Sequence, residues 1–196
     1  EHPDINSEKV VNIENLESLS FLNFNSDSDS FISSEQKISY VGNFGPHRGL
    51  ETLIESVKIL KNKFPKIKVE LIGAKNNNYA KRLQDIVDAM SLNQSIDIVG
   101  WIPFEEVFKS IVSSTICTIP HYSNPHTDTT IPHKIYQYML AKKPVLVSSS
   151  APLARVVNEA KCGAIFEAGN YVDAAEKIST LLNQKNELHK LGQNGY

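Results

Sequence analysis

Short apolar segments alternate with amphipathic stretches along most of the chain, and this rhythm constrains the fold more than any other feature. Each apolar segment has the length and the β-branched content of a buried strand. The six segments read KISYVG, IKVELIG, IDIVG, TICTIP, KPVLVSS and GAIFEA. A helical pattern follows each one, and after the first segment the apolar residues at helical spacing are Leu50, Leu53, Ile54, Val57 and Leu60. The sequence therefore predicts six strand–helix repeats.

Repeats of this kind predict an α/β fold with a parallel sheet. Right-handed crossovers place helices on both faces of such a sheet, so we expect a doubly wound, Rossmann-like domain. The repeats begin near Ser34 and continue to the C-terminus, which assigns residues 34–196 to this domain.

The first 33 residues follow a different pattern. They contain one short strand-like segment, KVVNI, and most of the turn-like stretch NFNSDSDSFISSEQ, which is rich in Ser, Asp and Asn and ends at residue 36. We interpret residues 1–33 as a lead-in strand and linker. Because the chain also begins without a methionine, we expect it to be a fragment whose N-terminal domain is missing.

Composition excludes several classes of protein. The chain carries 20 basic and 22 acidic residues and a formal charge of -2, so it lacks the basic footprint of a nucleic-acid-binding protein. It contains two cysteines, Cys117 and Cys162, which favours a reducing compartment over a disulfide framework. No apolar run approaches the length of about 20 residues that a membrane-spanning helix needs.

Ligands of doubly wound folds bind beyond the carboxyl ends of the strands, so the turns after the strands are the candidate sites. The first turn reads GNFGPHRG and contains Gly42, Gly45 and Arg48. Glycines allow close approach of a ligand, and a helix N-terminus and a guanidinium attract anions, so this turn predicts a phosphate site. A tight turn with a solvated arginine is the alternative. The turn matches neither a Walker loop nor a dinucleotide fingerprint.

The second candidate turn follows TICTIP and reads HTDTTIPHKIYQYM. Here we expect Thr130 to cap a helix that begins near Ile131, with Pro132 in its first turn. Apolar residues at 135, 138 and 139 predict the packed side of this helix. His133, Lys134 and Gln137 share its other side, which would face either a ligand or solvent.

Three histidines and an aspartate lie close together in this part of the sequence, at His121, His126, His133 and Asp128. Their spacing fits no zinc-binding pattern. We therefore expect no metal site.

The order of these motifs resembles the C-terminal domain of a retaining GT-B glycosyltransferase, of the large group that includes bacterial polysaccharide and lipopolysaccharide sugar transferases. The resemblance rests on YVGNFGPHRGLETLIESV, VELIGA, DIVGWIPFEEVFKSI, IPHKIYQYMLAKKPVLVSSS and GAIFEAGNYVDAAEKI. It extends to EKVVNIEN, which is similar to the lead-in strand after the acceptor domain. The chain would then be the half of a GT-B fold that binds the nucleotide-sugar donor.

The resemblance implies three sets of site residues. For the donor diphosphate they are Gly42, Asn43, Gly45, Arg48 and Lys134. For the base they are Gly100, Trp101 and Ile102. For the sugar and ribose they are Asp128, Thr129, Thr130, His133 and Gln137.

Two positions depart from the pattern of the group. Thr129 and Gln137 stand where the group carries two glutamates, which contact the sugar and the ribose. Gln137 keeps an acceptor oxygen, and Asp128 lies beside the neutral Thr129. Arg48 replaces the usual lysine, and arginine binds phosphate in a bidentate geometry. No catalytic nucleophile or base is visible in the sequence.

The activity that the resemblance implies is a glycosyl transfer that needs no metal or other cofactor, in the synthesis of polysaccharide or lipopolysaccharide. This half would bind the nucleotide sugar without transferring it, in the cytoplasm or at the inner face of the membrane. Any attachment to that membrane would be peripheral and through the missing half. Two alternatives stay open. One is a non-catalytic nucleotide-binding α/β module, and the other is a sugar-nucleotide epimerase of GT-B build.

Overall fold

A computed structural model describes residues 36–73 and 78–196, so the predicted lead-in strand and linker lie outside the described residues. The strands are β1 (Lys37–Val41), β2 (Lys68–Ile72), β3 (Ile96–Val99), β4 (Ile116–Ile119), β5 (Val145–Ser148) and β6 (Gly163–Phe166). The helices are α1 (Leu50–Leu60), α2 (Asn78–Ala89), α3 (Phe104–Ser113), α4 (Lys134–Leu140), α5 (Ala151–Ala160), α6 (Tyr171–Asn183) and α7 (Lys185–Gly195).

The six strands form a parallel sheet in the order β3-β2-β1-β4-β5-β6. This arrangement confirms the predicted α/β, Rossmann-like fold. The chain builds outward from β1 to β2 and β3, and then crosses back to place β4 on the other side of β1. The order reverses between β1 and β4, and ligands of such sheets bind in the crevice at that position.

Helices cover both faces of the sheet. One apolar cluster joins residues of α1, α2 and α6, and a second joins residues of α3, α4 and α5. Between them the four residues of β4 and the four of β5 are all buried, as expected for strands with helices on both sides. The last helix, α7, follows α6 directly, and the sequence analysis did not predict it.

The region before α4 differs from the prediction. The helix begins at Lys134 and not near Ile131, so Pro132 precedes it. Thr130 does not cap the helix, because its hydroxyl donates to the carbonyl of His126 at 2.8 Å. Instead, residues 127–129 form a short 3-10 turn. Local hydrogen bonds to polar side chains hold this turn and compete with helix formation.

Cys117 and Cys162 are both buried and unpaired. Among the described residues, no helix combines the length and the apolar character needed to cross a membrane.

Candidate functional site

The connections that follow β1 and β4 meet where the strand order reverses. Gly49 has a left-handed φ of 64°, and a Cβ atom at this position would lie only 1.8 Å from the carbonyl oxygen of Pro120. The amide of Tyr122 donates to the carbonyl of His47 at 3.1 Å. Glycine at position 49 therefore allows two connections, more than 70 residues apart in the sequence, to pack backbone against backbone.

Helix α4 is also attached to this edge of the sheet. The hydroxyl oxygen of Tyr138, which is fully buried, accepts a hydrogen bond from the amide of Val41 at 2.9 Å. That amide lies at the end of β1. The contact fixes the N-terminal part of α4 beside the turn that follows β1, and so brings Lys134 towards Gly42.

A cavity of about 310 Å³ lies between these segments, and we call it the cationic cavity. Its lining residues are Gly42, Asn43, Arg48, His121, His126, Thr127, Thr130, Ile131, Pro132, His133 and Lys134. Two of them are permanent or potential cations and three are histidines. No aspartate or glutamate of the described residues is among them. Such a lining attracts an anion.

Lys134 lies deep on one side of the cationic cavity. Its Nζ atom is 4.0 Å from the centroid of the Tyr40 ring, in a cation–π arrangement. Burial, and secondly the charge of Arg48, lower the pKa of Lys134 well below its usual value. A bound anion would favour the charged form of this amine.

Gly42 makes room for that lysine. It adopts a φ of 136°, a conformation that side chains disfavour, and an added Cβ atom would lie 2.4 Å from Lys134 Nζ. The hydroxyl of Tyr40 donates to the carbonyl of Asn43 at 2.9 Å and so supports the same turn. The backbone conformation therefore favours glycine here, and any side chain would also displace the Lys134 amine.

Arg48 ends a short 3-10 turn, Pro46–Arg48, and also lines the cavity. Its Nη1 atom lies 3.1 Å from Nε2 of His121, a side chain that is only 2% exposed. Burial, followed by the surrounding cations, lowers the pKa of His121 to about 2. His121 is therefore neutral and adds no charge to the cavity.

Another histidine lies just behind the lining. The rings of His47 and His126 meet edge to face, with their centroids 5.7 Å apart. Burial, then Arg48, His126 and Lys134, lower the pKa of His47. Among the described residues no group of three or more His, Cys, Asp or Glu side chains is placed to hold a metal ion.

The structure brings together six of the residues singled out in the sequence. Those that line the cationic cavity are Gly42, Asn43, Arg48, Thr130, His133 and Lys134. The others do not line it: Gly45, Asp128, Thr129 and Gln137 lie nearby in the chain but outside the lining. The Asp128 carboxylate accepts from Ser123 at 2.6 Å, and the Thr129 hydroxyl donates to the Pro125 carbonyl at 2.9 Å.

The residues assigned to the base lie further away. Gly100, Trp101 and Ile102 belong to the connection between β3 and α3, and β3 is separated from β1 by β2. Trp101 is 82% exposed, so it is not part of the apolar core. It does not line the cationic cavity.

Sequence reasoning missed the contribution of His121 and His126, which it considered only as metal ligands. Both line the cavity, as do Thr127, Ile131 and Pro132. A signal was present, because His121 comes directly after Pro120 at the end of β4, where the strand order reverses. Knowing that β4 neighbours β1 would have placed it beside the first turn.

The fold and cavity thus define an α/β domain with an anion-attracting crevice at the reversal point of its sheet. Comparison with known proteins is more specific, because the family described as glycosyl transferases group 1 matches residues 23–196. The chain therefore belongs to this family, and the predicted resemblance is confirmed at that level.

Individual relatives are distant. An uncharacterized glycosyltransferase from Methanocaldococcus jannaschii is 24% identical over 202 aligned residues, which cover 97% of this chain and 54% of the relative. The chain thus spans about half the length of that curated relative.

Solved structures share the fold. The C-terminal domain of the glycosyl transferase group 1 family protein LpcC from Francisella tularensis has a TM-score of 0.68 and 19% identity, with 82% of each chain covered. The Anabaena protein HepE, solved with UDP-glucose, has a TM-score of 0.73 and 18% identity. That match covers 89% of this chain and 49% of HepE.

Proposed function

We propose that this chain is the donor-binding half of a retaining glycosyltransferase, with residues 34–196 forming the domain that holds a nucleotide sugar. The observation that carries the proposal is that Arg48 and Lys134 line one cavity whose lining has no carboxylate among the described residues. The charge of Arg48 is therefore free to meet a diphosphate, and the bound anion would favour the charged form of Lys134. The family and the position of the cavity at the reversal point support the same assignment.

The lengths of the similar proteins support the assignment of donor binding to this chain and of acceptor binding to a separate domain. LpcC provides a C-terminal domain that matches this chain over most of both lengths, whereas the match covers about half of HepE. The acceptor would bind to a missing N-terminal domain, so the isolated chain would bind donor without transferring a sugar. The UDP-glucose found in HepE makes a uridine diphosphate hexose the first donor to test. Synthesis of polysaccharide or lipopolysaccharide at the cytoplasmic face of a membrane is the corresponding role.

In the transfer reaction, the bond between the sugar and the diphosphate breaks, and negative charge develops on the leaving phosphate. Arg48, from the turn after β1, and Lys134, the first residue of α4, both line the cavity and would stabilise that charge without rearrangement. The charge-assisted hydrogen bonds involved each contribute about 1.5–3 kcal/mol. Thr130 and His133, two exposed residues of the lining, are the proposed contacts for the sugar, and Gln137 and Trp101 stay predictions for the ribose and the base.

The proposal is tested by thermal stabilisation and calorimetry with UDP, GDP, ADP and their glucose conjugates, each compared with its bare nucleoside. We expect one base series to raise the thermal midpoint at millimolar concentration. Arg48→Ala should weaken the diphosphate of that series and leave the nucleoside unaffected. Arg155→Ala is the matched control, because this arginine pairs with Glu159 on the exposed side of α5. If no nucleotide binds, the donor-site assignment is wrong.

A further inference from the structure

In the hydrogen bond between His121 and Arg48, the donor and the acceptor follow from the chemistry of the two side chains. A guanidinium carries five N–H donors and no acceptor, so Nε2 of His121 must accept the 3.1 Å hydrogen bond from Arg48 Nη1. The ring proton then lies on Nδ1. Burial and the nearby charges of Lys134, Arg48, His47 and His126 oppose a second proton on the ring. His121 therefore faces Arg48 as a neutral acceptor.

Both partners are held in place by the backbone. Arg48 directly precedes Gly49, whose close approach to the Pro120 carbonyl leaves no space for a side chain. His121 follows Pro120, and the next amide, from Tyr122, binds the carbonyl of His47. The two segments thus form one packed unit. The orientation of the long arginine side chain is then decided by the ring that it contacts.

The chemical nature of this acceptor matters for an anion site. A carboxylate beside Arg48 would also orient the guanidinium, but it would form an ion pair and cancel most of the charge. A neutral imidazole binds one N–H group and leaves the positive charge intact. The lining contains no aspartate or glutamate among the described residues, so the cationic cavity keeps this charge for a ligand.

We infer that His121 is a positioning residue, which holds the Arg48 guanidinium towards the cationic cavity without neutralising it. This inference rests on the proposed function in one respect, namely that Arg48 meets the diphosphate of the donor. It adds a residue-level requirement: position 121 needs an acceptor that carries no charge.

Three variants separate acceptor from charge. His121→Gln keeps a neutral acceptor at about the distance of Nε2, His121→Glu gives the same shape a negative charge, and His121→Phe removes the acceptor. With UDP and inorganic pyrophosphate as probes, we expect His121→Gln to bind within about threefold of the wild type. His121→Phe should bind about tenfold more weakly, which corresponds to one hydrogen bond. His121→Glu should bind more weakly still.

The comparison of His121→Gln with His121→Glu is the decisive one, because the two side chains have the same shape, and each offers an acceptor oxygen that is neutral in one and charged in the other. Equal diphosphate affinities for these variants would overturn the inference. A double-mutant cycle gives an independent check: in an Arg48→Ala background, His121→Phe should cause no further loss of pyrophosphate affinity. A full tenfold loss in that background would show that His121 acts without Arg48.

A measurement without any ligand keeps this inference separate from the proposed function. Nitrogen-detected NMR of the histidine rings should show His121 protonated on Nδ1 and free on Nε2, and unchanged between pH 7 and pH 5. In Arg48→Ala the signal of Nε2 should shift. A doubly protonated His121 at pH 6 would contradict the assignment, even if UDP binds. Conversely, failure of every nucleotide to bind would remove the donor role and leave the NMR result standing.

Discussion

Two lysines near opposite ends of α4 both have a lowered pKa, but only one of them lines the cationic cavity. Lys134 begins the helix, stacks on Tyr40 and lines the cationic cavity. Lys143 follows the end of the helix, is 1% exposed, and among the described residues its Nζ atom has no hydrogen-bond partner. Burial lowers the pKa of both amines. The difference lies in access. An anion can reach Lys134, whereas Lys143 lies outside the lining of the cavity, so the cost of removing its ammonium group from water is not offset by a ligand.

A lowered pKa therefore does not by itself identify a functional lysine. Lys134 lies beside Gly42 at the carboxyl ends of the strands and lines the same cavity as Arg48, so its lowered pKa can be coupled to ligand binding. Lys143 lies at the other edge, just before β5, with Cys117 among its neighbours. The same substitution at both positions therefore separates a binding role from a cost to stability.

The largest expected effect is on ligand affinity in Lys134→Met. Loss of one charge-assisted contact should weaken UDP and pyrophosphate binding roughly 10- to 150-fold, and uridine binding should stay unchanged. Calorimetry at constant pH measures both. Lys143→Met is the matched control and should bind UDP like the wild type. Equal affinities in the two variants would remove Lys134 from the diphosphate site.

The next effect is on stability, and it concerns Lys143→Met. Replacing a buried, unpartnered ammonium by an apolar side chain of similar length should raise the free energy of unfolding by about 1–3 kcal/mol. Denaturant titration at pH 7 measures it. The folded-state pKa of Lys143 lies below the unfolded value, so the destabilisation in the wild type is complete below the folded pKa. It fades as pH rises towards about 10.4, the ordinary value for lysine.

The advantage of Lys143→Met over the wild type should therefore narrow as the solution becomes more alkaline. A gap that widens between pH 7 and pH 10 would mean that the ammonium is stabilised in the folded state. Lys58→Met, on the exposed side of α1, controls for the general effect of removing a positive charge.

A smaller effect is proton uptake when a diphosphate binds. The pKa of Lys134 is lowered in the free protein, and a bound anion raises it, so binding should take up a fraction of a proton in the window between the two values. Affinity for UDP should then fall as pH rises through that window. The pKa values of His47 and His121 are lowered, so these two rings are neutral at pH 8 and take up no proton there.

Calorimetry at pH 8 in two buffers with different ionisation enthalpies gives the number of protons taken up. Uptake should disappear in Lys134→Met. If the uptake persists in that variant, the proton goes to another group, and the predicted coupling between Lys134 protonation and ligand binding is wrong.

Periodicity was enough to predict the framework, because the strands are short apolar segments, with β4 and β5 fully buried, and each helix from α1 to α6 has an apolar side. Helix α7 was not predicted because it buries few residues, including Leu188 and Gly192.

The predicted start of α4 was wrong for a local reason. Asn124 Oδ1 accepts from the amides of His126 and Thr127 at 3.0 and 3.1 Å, and these bonds fold the backbone into the turn before the helix.

The site was predictable in its charged residues and not in its contacts. Arg48 and Lys134 follow separate strands, and the carboxyl ends of neighbouring parallel strands bring them together. The pairing of Arg48 with His121 depends on the close approach of Gly49 to Pro120, which no periodic pattern encodes.

The last and weakest effect concerns Trp101, which is exposed and, unlike Lys134, does not line the cationic cavity. Because this side chain is 82% exposed, Trp101→Ala should change the free energy of unfolding by less than about 0.5 kcal/mol. If the ring stacks on the base of the donor, the variant should weaken uridine and UDP alike, by about 0.5–1.5 kcal/mol, and leave pyrophosphate unaffected. That pattern is the reverse of the one expected for Lys134→Met.

Phe104→Ala, three residues further on and 44% exposed, is the matched control for loss of an aromatic surface. Equal effects of both variants on uridine would assign the base to a broader apolar surface of this connection, and no effect of either would remove Trp101 from the donor site.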